Sequence, residues 1–109
     1  MIEPNSNEVQ VMRRIRGEHR ALAILRALQD LTGFSCNDSL IAYFLGSLAL
    51  SGTAPEICEA VNSLERLGLV TIERTDPLVV FTLTQKGDDA GKGLIVVEGV
   101  LRPSPDCPY

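Results

Sequence analysis

The sequence has no tryptophan, one histidine, two tyrosines and three phenylalanines in 109 residues. Aromatic stacking can therefore play little part in its function, and a histidine-rich metal cage is excluded. The three cysteines, Cys36, Cys58 and Cys107, stand 22 and 49 residues apart and form no C-x-x-C pair. An odd number at wide spacing fits reduced thiols in a cytoplasm better than a disulfide framework. The glycines at 87, 91 and 93 lack the strand-to-helix cradle and the lysine spacing of a phosphate-binding loop. Residues 1–7 lack the basic start and apolar core of a signal peptide. The longest uncharged run, Ser39 to Pro55, is broken by Ser, Gly and Pro and is too short and polar to cross a bilayer. These absences predict a cytoplasmic protein with no membrane segment, cofactor, metal or enzymatic activity.

Hydrophobic residues make up 45% and charged residues 22%, a globular composition sized for one domain. Ten Lys and Arg against 14 Asp and Glu give a net charge of −4. That excludes a strongly basic coat protein for nucleic acid but leaves room for a local basic patch.

The apolar periodicity predicts a mainly α domain with a small antiparallel β-hairpin. Residues near 7 to 31 read as one long helix, capped by Ser6 or Asn7. Its length, about 36 Å at 1.5 Å per residue, exceeds what so small a domain needs. From Ala21 to Leu31 apolar residues surround nearly the whole helix, so that half is central. The first half is expected to project and pair with a second copy through Val9, Met12, Ile15 and His19.

Ser35 with Asp38 has the spacing of a capping box for a second helix over about 36 to 50, burying Leu40, Ile41, Phe44, Leu45 and Leu48. Cys36 would then sit at a helix start, where the dipole can lower a thiol pKa, although a small packing residue explains it better. Thr53 with Glu56 makes another capping box for a third helix, about 54 to 67, with Pro55 in its first turn and Ile57, Val61 and Leu64 facing inward. Gly68 is the left-handed stop. Leu69–Arg74 and Leu78–Thr84 alternate as strands around a Thr75-Asp76-Pro77 turn. Gln85 to Lys92 holds one or two helical turns. Leu94 to Val100 reads as a third strand or an extended arm, and the proline-rich end beyond it reads as loose.

Helix, helix, helix, hairpin is the order of a winged helix-turn-helix domain. The run Ala60-Val61-Asn62-Ser63-Leu64-Glu65-Arg66-Leu67-Gly68-Leu69-Val70 resembles the end of a recognition helix entering a wing strand. Leu83-Thr84-Gln85-Lys86-Gly87 resembles the step that leaves the second wing strand in regulators of the ArsR and MarR type. Together they place a winged-helix domain over residues 8–92, after a tail at 1–7 and before an arm and tail at 93–109. Ser35-x-Asn37-Asp38-Ser39-Leu40 and Val97-x-Gly99-Val100-x-Arg102-Pro103 also resemble a group of small winged-helix proteins of Mu-like phages.

The resemblance implies a small DNA-binding regulator, dimeric through the first helix. Thr53, Asn62, Ser63, Arg66, Arg74 and Lys86 are then the candidate contacts to double-stranded DNA. Asn62 has the chemistry to read adenine and Arg66 guanine. Glu56, Glu59 and Glu65 on the same helix oppose phosphate, since affinity scales with the cations that neutralise the backbone. An exposed helix face explains these residues equally well. The positive charge collects instead on the first helix. Arg13, Arg16 and Arg20 form a ridge, either a contact for nucleic acid or an acidic protein, or a solvated flank paired with the molecule's own carboxylates. The alternative to DNA binding is a phage-encoded module that docks on a host or packaging protein.

Overall fold

A computed structural model describes residues 6–109. The chain runs α1 (Ser6–Asp30), β1 (Ser35–Asn37), α2 (Asp38–Ser47), α3 (Ala54–Arg66), β2 (Val70–Thr75), β3 (Leu78–Leu83) and α4 (Gln85–Gly91). It is a helix-rich α/β fold, four helices with one three-stranded antiparallel sheet, among the described residues.

The core forms around the second half of α1. Leu22, Ala23, Ile24 and Leu25 are all fully buried, as is Leu28, so neighbours surround the helix on every side. Ile41 and Leu45 of α2, Ile57, Val61 and Leu64 of α3, Leu69, Val70 and Phe81 complete the cluster. The predicted central half of α1 and the inward face of α3 are both as expected. The first half of α1 stands clear of this core, with Val11, Met12 and Ile15 exposed. Most of the expected 1–7 tail lies outside the described residues. α1 already includes Ser6 and Asn7, so neither is its cap.

The third strand is not where alternation placed it. β1 precedes α2 and pairs with β3, Cys36 opposite Phe81, giving the sheet order β1-β3-β2. It takes Ser35–Asn37 out of the predicted second helix, so Ser35 and Asp38 form no capping box. The N-cap of α2 is Asn37, whose side chain accepts from the Leu40 N–H at 2.8 Å. The Asp38 carboxylate reaches across to accept from the Val79 N–H at 3.2 Å, tying α2 to the hairpin. Cys36 is a buried strand residue, and burial pushes its thiol pKa up, the reverse of a helix-start effect. Leu40 is about half exposed, because α2 turns only Ile41 and Leu45 fully inward.

Three helices end alike. At α3, Gly68 N–H donates to the Glu65 carbonyl and Leu69 N–H to the Leu64 carbonyl, with Gly68 at φ +76°. The same pair of bonds closes α4 around Gly93, and α2 around Ala49 at φ +58°. This double bond satisfies carbonyls that a helix end otherwise leaves open.

Leu94 to Val100 forms no strand; it is an arm that returns along α1. Leu101 N–H donates to the Glu18 carbonyl at 3.1 Å, and Val100 is buried. The end of the chain is docked, in contrast to the loose tail that its prolines suggest. Tyr109 Oη lies 2.9 Å from His19 Nδ1, and Arg26 Nε donates to the Tyr109 main-chain oxygen at 2.7 Å.

Candidate nucleic-acid interface

α3 is positioned at its start by a complete capping box. Thr53 Oγ1 accepts from the Glu56 N–H at 3.3 Å, and Glu56 Oε1 accepts from the Thr53 N–H at 3.1 Å. The Thr53 amide, and after it the Thr53 side chain, hold the Glu56 carboxyl below the ordinary carboxylate range, with Arg20 and Arg16 adding a smaller pull in the same direction. The Thr53 hydroxyl is thus an internal cap first.

At the far end, Lys86 Nζ donates to the Leu67 carbonyl at 2.9 Å. A cation at a helix C-terminus meets the negative end of the dipole, so Lys86 serves α3 in place. Arg66 lies on the exposed flank with its Nη2 2.7 Å from Glu59 Oε1 and 2.9 Å from Ser63 Oγ. The Ser63 hydroxyl in turn donates to Glu59 Oε1 at 3.3 Å. The Arg66 bond holds the Glu59 carboxyl below its usual range. Asn62 Nδ2 makes only a weak 3.5 Å contact to Cys58 Sγ.

Asn62 and Arg74 come together. Both line a cleft of about 460 Å³ between α2, α3 and the β2–β3 hairpin, whose floor includes Ala42, Ile57, Val61 and Val79. The Arg74 side chain is exposed and makes no hydrogen bond or ion pair among the described residues. Of the six candidate contacts, Asn62 and Arg74 keep the most freedom. Thr53, Ser63, Arg66 and Lys86 are already bonded within the fold.

The basic ridge divides. Arg20 is buried, with Nε donating to the Leu50 carbonyl at 2.9 Å and Nη2 to the Ser51 carbonyl at 3.0 Å. Burial lowers its pKa, and Glu56 opposes that shift. Arg16 Nη2 donates to the same Ser51 carbonyl at 2.7 Å. The two side chains clamp the loop between α2 and α3, a role with no sequence signature, because the acceptors are main-chain oxygens. The Arg13 and Arg14 side chains make no hydrogen bond or ion pair among the described residues. They border a second groove, of about 500 Å³, whose other side carries Glu56 and Glu59.

The expected pairing stripe on α1 also divides. Met12 and Ile15 are exposed and Val9 is half-buried. His19 is covered by the returning arm, its ring edge-on to that of Tyr109 with centroids 5.7 Å apart. No local sequence signal marks the Tyr109 contact, since 90 residues separate the partners.

This architecture, helices ranged around a small sheet with a cleft beside α3, defines the class of protein. The chain is 33% identical over 88 residues to uncharacterized protein gp26 of Escherichia phage Mu, covering 81% of this chain and 91% of that protein. It belongs to the family of that phage protein. No protein-family model matches the chain. No helix among the described residues is long and apolar enough to cross a membrane.

Proposed function

We propose that this chain is a winged-helix DNA-binding regulator encoded by a Mu-like phage, working without catalysis in the cytoplasm of the infected cell. The observation that carries this reading is the order α1-β1-α2-α3-β2-β3 with sheet order β1-β3-β2, which sets α3 and the hairpin on two sides of one cleft. In that reading α3 enters the major groove. Asn62 approaches base edges and Arg74 a backbone phosphate. Arg13 and Arg14, beside the start of α3, supply further free positive charge. The exposed stripe on the projecting half of α1 brings copies together.

With so few free cations, binding is weak and its salt slope shallow. The test is a titration of random and genomic duplex DNA from about 50 mM salt upward. The expected result is measurable binding that Arg74→Ala weakens for every sequence and Asn62→Ala alters in preference. No binding at the lowest salt overturns the DNA reading.

One observation favours a second reading, a module that docks on a host or packaging protein. Glu56, Glu59 and Glu65 lie on the exposed side of α3, while Arg66 is neutralised by Glu59. A protein surface tolerates such a helix better than phosphate does. That reading predicts no duplex binding together with a protein partner whose capture Asn62→Arg abolishes.

A further inference from the structure

We infer that copies of this chain associate end to end, the projecting half of α1 in one copy seating on a groove at the opposite end of the next. The inference rests on the self-association proposed above and specifies its geometry.

The projecting end carries Val11, Met12 and Ile15, exposed by 44%, 63% and 38%. Arg13, Arg14 and Arg16 flank them. Residues 6–16 extend roughly 16 Å, three turns of helix. At the other end of α1, the turn after Asp30 carries Phe34, which is 54% exposed. Phe34 borders a groove of about 460 Å³ lined also by Gln29, Asp30, Gln85, Asp88 and Lys92. Asp30 is exposed, and Lys92 is already paired with Asp88 at 2.8 Å.

The two ends match in chemistry. One offers apolar side chains with surplus arginine, the other an aromatic knob beside a groove with surplus aspartate. Pairing a basic apolar end with itself would bring arginines face to face, whereas seating it on the Phe34 end brings opposite charges together. Burying Met12 and Ile15 against Phe34 removes from water the largest apolar side chains that each end exposes.

Phe34 adds a separate observation. It holds φ +55°, a left-handed conformation rare for a bulky residue, directly after Gly33 at φ +72°. That conformation presents the ring outward instead of onto the core. A contact between two different patches is heterologous, so it produces rings or open chains instead of a closed pair.

The test is the mass of the full chain by light scattering over a wide concentration series, at about 0.05 M and about 0.5 M salt. Growth beyond a dimer that high salt reduces is expected. Phe34→Gly should abolish this growth while leaving the melting temperature equal or higher, because glycine accepts the left-handed backbone freely. Arg14→Glu and Asp30→Arg should each abolish it, and the two together should restore it. A closed dimer indifferent to Phe34→Gly overturns the end-to-end geometry and leaves self-association standing. A monomer at every concentration overturns both.

Discussion

Ala49 occupies the position that Gly68 and Gly93 hold at the ends of α3 and α4. All three close a helix with the same pair of backbone bonds, yet only Ala49 carries a Cβ into the left-handed region. That conformation costs an L-residue about 1–2 kcal/mol, partly offset by the greater freedom glycine has in the unfolded chain. Ala49→Gly should therefore raise unfolding stability by about 0.5–1 kcal/mol, measured by urea denaturation. Glu56 gives a prediction of a different kind. Its folded carboxyl titrates below the ordinary range because it accepts from the Thr53 amide. A depressed carboxyl contributes stability above its unfolded pKa and loses it as pH falls through the folded value. Glu56→Gln should be less stable than wild type at pH 7, and the difference should shrink towards about pH 3, below the usual glutamate pKa of about 4.3.

The helices show how an element can be legible while its neighbour is not. α3 was readable from end to end, because Thr53, Glu56, Pro55 and Gly68 are local signals that act within a few residues. β1 was not, since three residues are too few for alternation to register and their pairing with β3 spans more than forty positions. The arm was half legible. Its extended character followed from its composition, but its docking depends on Glu18, His19 and Arg26, which no local pattern links to Tyr109. The candidate site shared this division: the residue types on α3 could be listed, but not that Arg66 and Lys86 were already bonded. The Arg20 clamp belongs to this scale, for it fixes where α3 begins relative to α1. Arg20→Met fills similar space and leaves the buried Leu50 carbonyl without its donor. A loss of about 1–3 kcal/mol is expected in chemical denaturation. Arg16→Ala should cost less, as its acceptor Ser51 keeps Arg20.

At the scale of the whole molecule, Arg13 and Arg14 stand on the projecting half of α1, while Asp30 and Asp88 lie beside Phe34 at its other end. A net charge of −4 hides this asymmetry. The arm leaves the end of α4, where the Gly91 carbonyl accepts from Arg26, and at Gly99 borders the groove that holds Arg13 and Arg14. Tyr109→Phe removes the hydroxyl that meets His19 and keeps the Arg26 bond. It should lower stability by about 0.5–1.5 kcal/mol. Amide exchange should quicken along residues 95–109 and stay slow in the buried half of α1, which separates local release of the arm from global unfolding.

The buried half of α1 is made before the elements that cover it. Leu22 through Leu28 are enclosed by α2, α3, the sheet and α4, and the arm then fastens to the same helix across 83 to 90 residues of sequence. During synthesis this greasy rod must wait, unclothed, while everything that shields it is still being added. A nascent chain stalled before β3 should therefore be sticky and recruit chaperones, a liability that ends only when the arm docks.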